Sequence, residues 1–281
     1  MESDKKSDGQ SGGVNIGGGL IQAHDVVGRD QVEAHGDVVG RDKVIIEAAA
    51  SGVPALHQLP APPPDFTGRG QELTELLTAV EKGGVSISGL QGLGGVGKTA
   101  LALKLAEQLM PRYPDAQFYL DLKGVTGKPL TSTEAMAHVI RAYHPTAKLP
   151  EDEAELGGLY RSVLHNQNAL LLMDNAKDAQ QVESLLPPPA CLLLVTSRQH
   201  FTLPGLLAKT LDTLPPADAR ALLVRIAAPR LQQENEEVTA RLAQLCGYLP
   251  LALRTVGSAL SVRVDLDPVG TPASWQMPGN G

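Results

Sequence analysis

Residues 85–109 read VSISGLQGLGGVGKTALALKLAEQL. Residues 85–90 alternate and include the β-branched Val85 and Ile87, the pattern of a buried strand. Residues 99–109 place leucine and alanine at helical spacing among strong helix formers. Between them Gly92, Gly97, Lys98 and Thr99 complete G-x-x-x-x-G-K-T, with Gly94, Gly95 and Val96 inside. Little side chain at a strand-to-helix handover lets the backbone wrap closely, so that successive N–H groups point into one concavity. The positive end of the following helix faces the same spot. A phosphate suits such a cradle, with Lys98 reaching the outer phosphates and Thr99 holding Mg²⁺. A flexible glycine loop with an incidental lysine is the bland alternative. The complete match in strand–loop–helix context favours nucleotide.

Downstream of this loop the pattern is βα. Residues 117–122 (QFYLDL) fit a strand. Residues 131–143 fit a helix that Thr131 or Ser132 can cap. Residues 151–166 fit another helix, acidic at its start as the macrodipole prefers. Residues 169–174 (ALLLMD) and 191–196 (CLLLVT) are continuous apolar runs, typical of buried parallel strands. A short helix over 178–186 separates them and stops at Pro187 to Pro189. Residues 209–211 suit a short last strand. This is an α/β fold with a parallel sheet and helices on both faces. After Pro215 the strands give way to helical stretches at 217–228, 236–246 and 251–262, a second and all-helical subdomain.

Upstream, DVVGRD occurs at residues 25–30 and again at 37–42, with Val32 and Val44 also matching, and residues 15–21 (NIGGGLI) form a degenerate copy. The expected organisation is a disordered stretch over 1–13 and a β-prone repeat arm over 14–47. An Ala/Pro linker follows over 48–64. A nucleotide-binding domain would occupy 65–212, a helical subdomain 213–262, and a disordered Gly/Pro tail 263–281.

Composition bounds the function classes. The chain has 281 residues, 42% of them hydrophobic but only 3% aromatic, so the core is made of Leu, Ala and Val. A net charge of −7 gives no direct nucleic-acid signal. The two cysteines, Cys191 and Cys246, fit neither a metal site nor a disulfide framework and are expected as buried thiols. The N-terminus has no apolar signal region, and no apolar run approaches membrane-spanning length. The expectation is a cytoplasmic protein without membrane partners.

A phosphate loop alone does not define a function. Asp174 closes an apolar strand at the end where ligands bind in such sheets, and a carboxylate there can hold Mg²⁺, partly through water. Asn175 follows it, and an amide cannot act as a general base. Arg198 closes the next buried strand and could sense a terminal phosphate through charge-assisted hydrogen bonds. Residues 247–253 (GYLPLAL) lie between two helices, with Gly247 suited to a C-cap and Pro250 to a first turn.

FTGR (residues 66–69), GLGGVGKT (92–99), LLLMDN (170–175), LVTSR (194–198) and GYLPLAL (247–253), in this order and spacing, resemble the NB-ARC domain of STAND signalling NTPases. The resemblance covers about residues 65–262 and implies a sheet of order 2-3-4-1-5. It implies nucleotide held between that domain and the helical one, and a slow ADP/ATP switch with Mg²⁺. Carried over, Phe66, Gly68 and Arg69 flank adenine and ribose. Gly92, Gly94, Gly95, Val96, Gly97, Lys98 and Thr99 form the phosphate loop, with Ala100 beside it. Thr99 and Asp174 hold the metal, Arg198 is the sensor, and Pro250 closes over the base. Lys98, Asp174 and Arg198 would carry whatever hydrolysis occurs. Gly70 stands where the family often has Glu, and Asn175 where many members have a second acid. The family continues into a winged-helix domain and sensor repeats, whereas the resemblance here ends with the first helical subdomain; the expectation is a fragment, a frame-shifted copy or a stripped-down variant.

The leading expectation is therefore a nucleotide-dependent signalling switch in regulation or defence, with an unknown signalling partner. The alternative is an assembly protein that self-associates through its N-terminal repeats and keeps the NTPase module as a remnant. A fast P-loop enzyme ranks third, since no substrate-site constellation supports it.

Overall fold

The computed structural model describes residues 14–16, 19–21, 56–82, 87–228, 230–232 and 234–263. It forms two units, residues 1–43 and 44–281. In the first, β1 (Val14–Ile16) and β2 (Gly19–Ile21) pair antiparallel, with Val14 opposite Ile21. The two DVVGRD copies, residues 1–13 and the tail from 264 lie outside the described residues.

The second unit begins with β3 (Leu56–His57) and α1 (Gly70–Glu81). There follow β4 (Ile87–Gly92), α2 (Lys98–Leu109), β5 (Ala116–Asp121), α3 (Ser132–Tyr143) and α4 (Glu153–Leu164). Then come β6 (Ala169–Ala176), α5 (Ala179–Glu183), β7 (Leu192–Ser197) and β8 (Leu206–Leu211). The helices α6 (Pro216–Ile226), α7 (Glu236–Leu245) and α8 (Pro250–Val262) complete it.

The sheet order is β3-β5-β6-β7-β4-β8, and every neighbouring pair is parallel. Counted from the strand before the phosphate loop, this is 2-3-4-1-5, the P-loop NTPase order, with β3 added outside strand 2. That added strand falls in the stretch read as linker. Its two residues pair with Ala116 and Gln117.

Alternation along the buried strands builds two apolar layers, one on each face. Leu170, Leu172, Leu192 and Leu194 pack with Leu76 and Val80 of α1 and Leu101 and Leu105 of α2. Leu171, Met173, Leu193 and Val195 pack with Met136 and Val139 of α3 and Leu156 and Tyr160 of α4. A third cluster, including Leu222, Leu223, Leu242, Leu253 and Leu260, holds α6, α7 and α8 together.

Helix starts follow their caps. Thr131 accepts from the Glu134 amide while Glu134 accepts from the Thr131 amide, a complete capping box for α3. Asp152 and Asp178 cap α4 and α5 through their carboxylates. Both cysteines are free; Cys191 is buried as expected, but Cys246 is only partly so, because it sits at the C-cap of α7 rather than inside the helix.

Candidate functional site

The phosphate loop joins β4 to α2. Gly92 ends the strand at φ 141°, and a Cβ there would stand 2.5 Å from the Leu211 carbonyl oxygen of β8, so only glycine fits. The loop turns again at Gly95 (φ 79°) and Gly97 (φ 96°). Gly97 is the N-cap of α2 and offers no side-chain cap, so the first amides of the helix stay available to a ligand. Lys98 is 8% exposed, and its Nζ donates to the carbonyls of Gly92 at 2.9 Å and Leu93 at 2.8 Å. Burial, and then the charge of Arg198, lower the lysine's pKa, while Asp174 opposes them. An anion in the loop would relieve that strain on the ammonium.

Asp174 sits where β6 breaks register with β7 between Met173 and Ala176, and Asn175 takes φ 61° there. The irregularity turns the carboxylate toward the loop. Its Oδ1 accepts from Thr99 at 2.8 Å and also from the Thr196 hydroxyl of β7. Its Oδ2 accepts from the Tyr119 hydroxyl of β5 at 3.2 Å. Burial first, then the Asp174 charge and this hydrogen bond, push the Tyr119 phenol far above its ordinary value, so it stays a donor. Thr196 Oγ1 accepts in turn from the Asn175 amide at 2.9 Å, which holds the bulge in place.

Arg198 leaves the end of β7 and lies flat against the loop: a Cβ on Gly94 would be 3.3 Å from its Cζ. The guanidinium has no hydrogen bond or ion pair among the described residues and lines the cavity over the loop.

The helical subdomain forms the opposite wall. The Leu251 amide in the first turn of α8 donates to the Gly95 carbonyl at 3.2 Å, and Pro250 lies against Gly97. Arg69, at φ 64° before α1, is buried and donates to the carbonyls of Val96 at 3.2 Å and Asp212, while Glu72 receives its other amino group at 2.8 Å. It thereby ties the loop to the connection into α6. Arg225 of α6 donates to the Pro64 carbonyl at 2.9 Å, and Arg254 of α8 pairs with Asp65 at 2.6 Å.

These walls enclose a cavity of about 440 Å³. Phe66, Arg69, Gly94, Gly95, Val96, Gly97, Lys98, Thr99, Ala100, Asp174, Arg198 and Pro250 all line it. Gly68 and Gly92 do not. Gly68 packs instead against Asp218 of α6, where a Cβ would come within 2.9 Å of the carboxylate, and Gly92 is buried under β8. Arg69 reaches the cavity, but its amino groups already serve the backbone and Glu72. Thr196, inside the LVTSR motif but not singled out as a site residue, lines the cavity too, as do Leu214, Leu222 and Arg254, which no sequence motif marks. The donor set suits a magnesium nucleotide: a backbone cradle, a lysine held by two loop carbonyls, and a hydroxyl–carboxylate pair of hard oxygens that phosphates would complete.

Sheet order, phosphate loop and paired Thr99–Asp174 define a P-loop NTPase domain. No family model matches the chain. It is 38% identical over 212 residues to the regulatory protein AfsR of Streptomyces griseus, covering 73% of this chain and 22% of that protein. Identity to AfsR of Streptomyces coelicolor is 37% over 217 residues, with the same shares covered. Identity to the disease resistance RPP8-like protein 3 of Arabidopsis thaliana is 25% over 212 residues, covering 70% of this chain and 23% of that one. The chain thus spans about a fifth of the length of these relatives. It carries an NB-ARC/STAND P-loop domain.

Proposed function

We propose that this domain is a regulatory switch that binds ADP or ATP with Mg²⁺ and hydrolyses ATP slowly or not at all. The observation that carries the reading is the seat of α8 on the phosphate loop, Leu251 amide on Gly95 carbonyl. The loop that would bind phosphate also holds a separate helical subdomain, so occupancy of one bears on the position of the other.

The residues divide the work. Lys98 would turn from the Gly92 and Leu93 carbonyls to the outer phosphates, and the amides of residues 95–99 would hold the inner ones. Thr99 and Asp174 would hold Mg²⁺, with Thr196 and Tyr119 fixing the carboxylate. Phe66 and Pro250 would flank the base, and Arg198 would meet the terminal phosphate. Bound nucleotide and metal would supply charge whose presence or absence the loop reads.

The acids present support slow turnover. Asp174 already accepts three hydroxyl hydrogen bonds, and Asn175 offers no base. The named relatives are a regulatory protein and a disease resistance protein, which supports a role in regulation or defence. Steady-state hydrolysis under saturating Mg²⁺-ATP tests this: the expected rate is far below 10 s⁻¹, roughly the enzyme median. Turnover at or above that median would replace the switch with an enzyme.

A further inference from the structure

Gln91 is the next-to-last residue of β4, directly before Gly92, where the phosphate loop opens, and it is 3% exposed. A buried amide in a strand flanked by β7 and β8 needs partners for both its ends. It finds them in one place. Its Nε2 donates to the Phe201 carbonyl at 2.7 Å, and its Oε1 accepts from His200 Nδ1 at 3.1 Å. Both partners lie in the segment after β7, two and three residues past Arg198. That segment is also pinned at its start, where Ser197 donates to the Ala176 carbonyl at 2.8 Å and accepts from the Gln199 amide at 3.0 Å. Arg198 is therefore carried on a short loop held at both ends, and the far anchor is the strand that launches the phosphate loop. Its own guanidinium makes no hydrogen bond or ion pair among the described residues and rests against Gly94.

We propose that Gln91 is a positioning residue for Arg198: by holding His200 and Phe201 it fixes the sensor arginine against the phosphate loop, and so sets the preference for a nucleoside triphosphate over a diphosphate. The inference rests on the reading of Arg198 as the group that meets the terminal phosphate. Gln91 does not line the cavity, so it would touch no nucleotide directly.

The test is calorimetric titration of the full chain with Mg²⁺-ADP and with a non-hydrolysable Mg²⁺-ATP analogue. Gln91→Met keeps the volume and removes both hydrogen bonds. The expected result is an analogue affinity about tenfold weaker with ADP affinity within about twofold of wild type, since only a charge-assisted contact to the third phosphate is displaced. Arg198→Ala should show the same selective loss, and the double variant should be no worse than Arg198→Ala, because the two residues act through one contact. Equal weakening toward both nucleotides, no weakening, or losses that add in the double variant would overturn the proposal. An Arg198→Ala protein with an unchanged triphosphate-to-diphosphate ratio would instead remove the sensor reading itself. If Gln91→Met does not fold, His200→Ala, on the exposed side of the same contact, decides: a smaller selective loss supports the proposal and an unchanged ratio overturns it.

Discussion

Thr99 joins two distant elements of the fold through one side chain. Its hydroxyl donates to Asp174 across the gap between α2 and β6, at 2.8 Å. In the proposed site both groups would be ligands of the metal; without metal, the hydroxyl would be of little use to a phosphate that the backbone amides would already serve. Thr99→Ala should therefore weaken Mg²⁺-ADP about tenfold while leaving ADP in a chelator within about twofold, the loss being one contact to a charged group. Calorimetry in magnesium and in chelator separates the two, and equal losses would remove Thr99 from the metal site. Residues of this kind were legible because Gly92, Gly97, Lys98 and Thr99 are neighbours in sequence. Tyr119 and Gln91 were not, because their partners lie 55 and about 110 positions away and the contact exists only once the sheet has formed.

Among the elements, the end of β5 does more than its sequence suggests. Gly124, just beyond it, donates its amide to the Asn175 carbonyl at 2.7 Å, and a Cβ there would stand 2.4 to 2.6 Å from the backbone of Asn175, Ala176 and Lys177. Backbone cannot give way as a flexible side chain can. Gly124→Ala should cost about 1–3 kcal/mol, typical of overpacking, and should disturb the Asp174 bulge, whereas Gly127→Ala meets nothing within 4 Å and should be neutral. Thermal unfolding of both variants checks this; a neutral Gly124→Ala would mean the bulge does not depend on that loop. The long apolar strands and the capped helices were readable from local pattern. So is α1, whose Leu73, Leu76, Leu77 and Val80 repeat at helical spacing directly after the FTGR motif. β3 could not be read: two residues in a Pro-rich stretch carry no periodicity, and only the exposed edge of β5 makes them a strand. The last strand is six residues rather than three because Leu206 and Leu207 pair with Ile87 and Ser88 across a gap no motif spans.

At the scale of the whole molecule, the helical subdomain is held to the nucleotide domain by contacts that converge on the phosphate loop and on residues 63–69. Arg69, Arg225 and Arg254 tie the segment before α1 to α6, α8 and the connection between domains. This part of the chain should bind nucleotide by itself. Removing residues 1–50 should leave ADP affinity within about twofold, because every group proposed to touch nucleotide lies beyond them; under the alternative reading of an assembly protein, the same truncation would abolish self-association. Calorimetry and light scattering on the shortened chain check both halves; loss of nucleotide binding would mean that the arm belongs to the site. Whether the loop between β4 and α2 is a working phosphate cradle is decided by titrating Mg²⁺-ADP into the full chain and into Lys98→Ala. Saturable one-site binding by the wild type is expected, with affinity at least about tenfold weaker in the variant, the value of a charge-assisted hydrogen bond. Equal affinity in the two proteins, or no binding by the wild type, would contradict it.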